Sequence, residues 1–347
     1  KTFIHYYNIM TEMKDDLLNW VLLQSSNLGF NDVLELEPLR EQASLRNYFR
    51  IHTESNSKIG VITRPESEEN KLFELYSCYL LDQGIRVPKV EAYDHQKGFM
   101  ILEDFGNSVL QLEINNKNKD SFYKKSISEI LKLQACAPHQ SLSSLSKQLL
   151  IDQMKLFEEW FFFGLLDLKY SNNEKEMLLN SWKIIADECS SQPYVLCHFD
   201  FEFRNLMLLE DSELGILDFQ DACIGPYSLD LVSIMKDIDN PLDKGEFSEY
   251  LNFYLSNLHS KKHDINISLE GLERDVHFAG FQRQFRILGT LARLHIRDKK
   301  SFRLRDLIQT LRYLYEDSMQ YNELRETAIF LRNKVEPKLL VTLEEIN

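Results

Sequence analysis

The strongest constraint on this chain is a short ribbon in a half otherwise patterned for helices. Between Val195 and Ala222, two apolar segments, 206–209 and 215–217, flank the polar turn 210–213, which is the pattern of a β-hairpin. A β-ribbon inside a helical region needs a reason. Its flanks supply one, because His198-Phe199-Asp200-Phe201-Glu202-Phe203-Arg204-Asn205 leads in and Leu217-Asp218-Phe219-Gln220-Asp221 leads out. The hairpin returns Asp218 beside Asn205, and the Asp-x-x-x-x-Asn spacing turns a loop so that Asp200 and Asn205 face one cleft.

The rest of the chain reads as strands and helices around that ribbon. Residues 11–26 form a helix with Leu17, Leu18, Val21 and Leu22 on one apolar face. Segments 48–53 and 59–63, separated by a polar turn, make a hairpin, a helix follows over 66–82 up to Gly84, and 87–93 and 99–103 are two more strands. From Ser108 on, long helical stretches dominate, over 119–136, 144–168, 174–188, 269–297 and 303–321. There is no internal repeat and no long linker, so a short hinge near 103–107 joins the two parts.

With 347 residues and 44% hydrophobic composition, the chain can bury a sizeable core as two lobes. A net charge of -14 without a basic stripe makes nucleic acid a poor partner, whereas a nucleotide arriving with magnesium can be held by a few carboxylates. Cys78, Cys136, Cys189, Cys197 and Cys223 show neither disulfide nor zinc spacing. Together with the absence of a membrane-length apolar run, this suggests a reducing, cytoplasmic setting. The chain opens on Lys1, and Met10 and Met13 are plausible natural starts, with the nativeness of the residues before them left open.

Phosphoryl transfer needs a carboxylate near the acceptor hydroxyl and two oxygen ligands holding magnesium against the β- and γ-phosphates. Asp200, Asn205 and Asp218 supply those parts in order. An isolated Asp-x-x-x-x-Asn occurs in ordinary surface turns. Joined to His198, the hairpin and the Asp-Phe-Gln segment, it has the spacing of the protein-kinase catalytic loop and metal-binding segment, with ATP and Mg2+ as the implied cofactors.

On these residues the chain resembles the aminoglycoside phosphotransferase and choline kinase superfamily, and within it the anomeric N-acetylmuramate and N-acetylglucosamine kinases of peptidoglycan recycling. The likeness takes in Ala43-Ser44-Leu45-Arg46-Asn47-Tyr48-Phe49-Arg50, Val87-Pro88, Gly98-Phe99-Met100-Ile101-Leu102-Glu103-Asp104-Phe105-Gly106, Gly225-Pro226 and Asp230-Leu231-Val232-Ser233. Towards the C terminus it extends through Gln282-Arg283, Leu288-Gly289, Ala292-Arg293-Leu294 and Arg297-Asp298. It implies a bilobal α+β fold of the protein-kinase-like kind. A small nucleotide-binding lobe with an antiparallel sheet would span 1–106, and a larger, mostly helical catalytic and substrate-binding lobe 107–347.

By the same resemblance Asp200 is the base and Asn205 and Asp218 are the metal ligands. The backbone at Glu103 to Phe105 meets adenine and Met207 floors its pocket. Asp230 ties the following helix to the loop, which His198 braces. The chain departs from the family in lacking a Gly-rich phosphate loop, so Ser44, Arg46 and backbone N–H groups are the candidate anion nest, with a solvated turn as the bland alternative. The strand that should present a phosphate-pairing lysine reads Gly60-Val61-Ile62-Thr63-Arg64-Pro65, with Lys58 too early. Glu202 stands where relatives carry His and adds negative charge near the acceptor.

On the substrate side the candidates are Trp160 for stacking on a sugar, Arg204 for phosphate, and Gln282 with Arg283, which suits a lactyl carboxylate. Core packing for Trp160 and structural pairing for Arg204 are the competing readings. The implied activity is phosphorylation of the anomeric hydroxyl of an amino sugar, whose product passes to a uridylyltransferase. Kinases of aminoglycosides, choline or amino alcohols, and an ATP-binding pseudokinase, remain as alternatives.

Overall fold

A computed structural model of the chain describes residues 2–28, 33–39, 46–54, 56–65, 68–258 and 265–346. By contacts the chain falls into two units, residues 1–113 with 204–220, and residues 114–203 with 221–347. The sequence alone suggests one continuous boundary at 106/107 with a hinge at 103–107, whereas the contacts carry the first unit on to 113, place 103–107 inside it and group the 204–220 ribbon with it.

In the first unit, helix α1 (Thr2–Leu28) precedes an antiparallel five-stranded sheet of β1 (Val33–Pro38), β2 (Asn47–Thr53), β3 (Ser57–Ile62), β4 (Val90–Asp94) and β5 (Phe99–Glu103). Their order is β1-β2-β3-β5-β4. β1 is absent from the sequence reading because Val33–Pro38 is too acidic and short to stand out by alternation. Leu17, Trp20 and Val21, spaced i, i+3, i+4, are buried against Leu36, Phe49, Ile51, Ile62, Phe99 and Ile101 of the sheet. Helix α2 (Glu68–Asp82) connects β3 to β4, and the short α3 (Leu110–Glu113) closes this part of the chain.

The later ribbon, β8 (Leu206–Leu208) with β9 (Leu214–Ile216), has the register Leu206↔Ile216, Met207↔Gly215 and Leu208↔Leu214. It hydrogen-bonds within the same unit: Leu208 N–H donates to Ser108 and Ile216 N–H to Arg86. That is the physical reason for a β-ribbon in a helix-rich half: its backbone groups pair with the segments around the hinge.

The second unit packs helices α4 (Lys119–Gln134), α5 (Lys147–Leu156), α6 (Asn172–Ser191), α7 (Leu229–Met235), α8 (Lys244–Leu258), α9 (Leu269–Ile296), α10 (Asp306–Ser318), α11 (Arg325–Phe330) and α12 (Glu336–Ile346). Ser171 and Glu174 form a reciprocal capping box that starts α6, and Ser268 caps α9 by accepting from Gly271 N–H. α9 is buried over most of its length, with Phe278, Phe281, Phe285 and Leu288 in the unit's main core. Gly289 permits this, since a Cβ there would overlap the Leu156 carbonyl. From the next residue the chain widens into a π-helix, Phe157–Leu165, so the single helix expected over 144–168 is two. A three-stranded sheet, β6 (Ser143–Ser144), β10 (Cys223–Pro226) and β7 (Tyr194–Cys197), with β10 central, carries the chain into the loop that begins at His198.

Candidate active site

In the second unit, the loop after β7 is held from α7. The fully buried Asp230 carboxylate accepts the N–H groups of His198 (2.6 Å) and Phe199 (2.9 Å). Burial pushes this carboxyl up to about 6, against the pull of His198 and the two N–H donors. Phe199 sits at φ 81°, a costly conformation for an aromatic residue, which the paired bonds to Asp230 hold in place. The His198 ring is buried, edge-on to Phe201. Asp230 thereby ties α7 to the backbone of this loop.

Asp200 follows at once. Its Oδ1 lies 2.9 Å from Nη2 of Arg286 on α9, and the same guanidinium lies over the Phe199 ring, 4.1 Å from its centroid. Burial alone would raise the Asp200 carboxyl, but the charges of Arg286 and Arg283 and the hydrogen bond from Arg286 bring it down to about 2. Arg286 is absent from the sequence reading. The signal for it was two arginines three residues apart, on one face of a largely apolar helix.

Several expected contacts take a different form. Arg283 is buried and paired with the buried Glu202, whose other oxygen lies 4.0 Å from Arg303. A guanidinium this buried needs a carboxylate partner within the fold, so Arg283 is engaged with Glu202 rather than directed at a ligand, and the negative charge of Glu202 is neutralised. Gln282 is likewise buried and donates to Gln153 at 2.8 Å, joining α9 to α5. Trp160, in the π-helix, is half-buried against the main core.

The first unit holds the other elements. Asn205 ends a single 3-10 turn, Phe203–Asn205, and its carbonyl accepts from Leu217 N–H at 2.8 Å, which closes the ribbon just before Asp218. Asp218 is exposed at φ 63° and accepts from Gln220 Nε2 at 2.6 Å. Phe219 is buried and stacks on Phe73 of α2, with centroids 4.7 Å apart, so the carboxylate before it is anchored from the core. Arg46 lies over the Phe73 ring, 5.1 Å from its centroid. Arg204 is half-buried. Ser44 lies outside the described residues.

The hinge is braced on both sides. Arg50 bonds both Asp104 oxygens and the Gly106 carbonyl, and Arg86 makes a two-point pair with Glu103 while lying over the Phe105 ring. Phe105 packs so closely on Gly215 that a Cβ there would come within 2.5 Å of two ring atoms. Glu103, Phe105 and Met207, across from Gly215, are thereby gathered at the hinge. Lys58, on β3, pairs with Glu91 at 2.7 Å, and the end of β3 carries a neutral bond from Thr63 to Asn70 of α2. Two oxygen donors, the Asn205 amide and the Asp218 carboxylate, suit a hard cation that keeps water and phosphate oxygens as its other ligands. Among the described residues no group of three or more His, Cys, Asp or Glu side chains could hold a metal alone, and no helix is long and apolar enough to cross a membrane.

Comparison with known proteins fits this inventory. The N-acetylmuramate/N-acetylglucosamine kinase of Pseudomonas putida is 29% identical over 317 residues, covering 91% of this chain and 93% of that protein. The protein of the same name from Neisseria meningitidis is 27% identical, covering 81% of this chain and 85% of its own length. Among solved structures, choline kinase LicA from Streptococcus pneumoniae has a TM-score of 0.61 at 15% identity, covering 90% of this chain and 99% of that one. ADP-bound aminoglycoside phosphotransferase APH(2'')-Ib has a TM-score of 0.58, also at 15% identity, covering 87% and 98%. At such identity these structures speak for a kinase-like fold and leave the substrate aside. A family model described as the phosphotransferase enzyme family matches residues 35–263, more than half of the chain, and the chain therefore belongs to that family of phosphoryl-transferring enzymes.

Proposed function

We propose that the chain is an ATP- and magnesium-dependent kinase that phosphorylates the anomeric hydroxyl of N-acetylmuramate or N-acetylglucosamine. What carries this reading is the likeness to kinases of those sugars over more than four fifths of each chain compared. The Asp200, Asn205 and Asp218 spacing supplies the matching chemistry.

Asp200 accepts a hydrogen bond from the anomeric hydroxyl and aims its oxygen at the γ-phosphorus. The bond from that oxygen to phosphorus forms while the bond from phosphorus to the β–γ bridging oxygen breaks. ADP departs and the hydroxyl proton passes to Asp200 and then to solvent. Asn205 and Asp218 would hold magnesium, which would supply charge neutralisation on the phosphates; Gln220 fixes the orientation of Asp218. The backbone from Glu103 to Phe105 meets adenine over Met207, and Arg46 serves the phosphates. Trp160 offers the sugar an aromatic face, and Arg204 serves phosphate. A cytoplasmic location, where ATP is supplied, goes with this reading, and the sugar 1-phosphate product suits a uridylyltransferase.

The test is ADP release with ATP and magnesium over a panel of N-acetylmuramate, N-acetylglucosamine, choline and an aminoglycoside. Turnover on the amino sugars, falling by roughly 100-fold to 10,000-fold in Asp200→Ala, is expected. Turnover on choline or the aminoglycoside alone would overturn the acceptor, and silence on every hydroxyl would favour a nucleotide-binding module.

A further inference from the structure

We propose that Arg286 is a positioning residue for phosphoryl transfer, holding Asp200 aimed as an acceptor through a direct ion pair while the Phe199 ring braces its guanidinium. This rests on the role given to Asp200 above, and it adds a residue from a helix 86 positions away in sequence.

Three devices converge on this one contact. Asp230 clamps the N–H groups of His198 and Phe199. The resulting φ of 81° at Phe199 directs its ring to the Arg286 guanidinium, at 4.1 Å. Arg286, its side chain only 12% exposed, then reaches Oδ1 of Asp200. A buried guanidinium is costly without a carboxylate, and strained backbone persists only where its surroundings hold it. Asp200 keeps 35% of its side chain exposed, against 12% for Arg286, so the guanidinium holds the carboxylate from the buried side.

The groups facing Asp200 are Arg286 and Arg283 from α9, His198 in its own loop, Asp230 from α7 and Cys223 from β10. In a loose phosphoryl-transfer transition state the acceptor proton leaves late, and the alignment of the hydroxyl matters more than its deprotonation.

The experiment compares wild type, Arg286→Gln and Arg286→Lys in the full chain. In Arg286→Gln, kcat should fall roughly 10-fold to 100-fold with KM for ATP within about twofold, and the acidic limb of the kcat profile should move up toward the ordinary carboxylate range. Arg286→Lys, which keeps the charge, should retain the limb and recover much of the rate. Wild-type kcat and pH profile in Arg286→Gln would overturn the proposal. So would equal losses in both variants with an unmoved limb, the mark of a merely structural pair.

A readout without acceptor separates this from the assignment of substrate. The Asp200 carboxyl is titrated by carbon-13 NMR, with Asp200→Asn to identify its signal. A titration that rises in Arg286→Gln supports the clamp even where the wild type turns over no amino sugar, an outcome that would sink the amino-sugar assignment alone. Identical titrations in wild type and Arg286→Gln would sink the clamp.

Discussion

Replacing Arg283 with Met removes one half of the buried pair with Glu202 while keeping similar side-chain bulk. Both partners are buried, at 5% and 8% exposure, so Arg283→Met leaves a carboxylate inside the fold with Arg303 as its nearest remaining cation, 4.0 Å away. Breaking a buried pair from one side costs about 3–5 kcal/mol, and the surviving Arg303 places this case near the lower end, about 3 kcal/mol. At roughly 2–3 °C per kcal/mol for a chain of this size, the unfolding midpoint should fall by about 6–9 °C. Arg283→Met with Glu202→Leu removes both charges and should recover the loss to within about 1 kcal/mol. Urea and thermal unfolding of wild type, both single variants and the double variant complete the cycle. In the same Arg283→Met protein, KM for N-acetylmuramate should stay within about twofold of wild type, because this guanidinium is engaged with Glu202. A stability cost under about 1 kcal/mol, or a double variant no better than Arg283→Met alone, would refute the reasoning. A KM rise of roughly tenfold for N-acetylmuramate, with that for N-acetylglucosamine unchanged, would return Arg283 to the substrate.

Two further outcomes follow from other parts of the fold. Gly215→Ala pushes a methyl group against the Phe105 ring at the hinge; KM for ATP should rise roughly threefold to tenfold while KM for the acceptor holds, and an unchanged KM for ATP would refute the placing of Phe105 in the nucleotide site. His277, buried beside Phe247, with Nδ1 2.8 Å from the Tyr321 hydroxyl and facing Asp317 and Lys236, is lowered by burial to about 4. The fold therefore favours its neutral form: this stability is present above the unfolded value of 6.5, and up to about 3 kcal/mol is lost as pH falls from there through about 4. Urea midpoints at about pH 7 and about pH 4.5 should converge in His277→Gln, and an unaltered pH dependence would count against a buried neutral imidazole.

Much of the candidate site is legible in the sequence, because it is written in short-range spacing. Asp200 and Asn205 lie five residues apart on one loop, and a turn of a few residues brings Asp218 to the other end of the ribbon, so chain geometry alone brings Asn205 next to Leu217. The strand ending at Glu103 and the amphipathic face of Leu17 and Val21 are local patterns of the same kind. What long-range packing decides is which charge meets which. Arg286 reaching Asp200 and Arg283 reaching Glu202 span 86 and 81 residues, and nothing in a helix's own sequence tells whether its arginines point to a ligand, to solvent or to a carboxylate on another element. The grouping of residues 204–220 with the first unit and the close approach of Gly289 to Leu156 are likewise products of tertiary contact. The sequence by itself determined the candidate residues of the site and their order along the chain. Only the tertiary structure decided which side chains hold them in place, because burying a charge forces a partner choice that depends on everything packed around it.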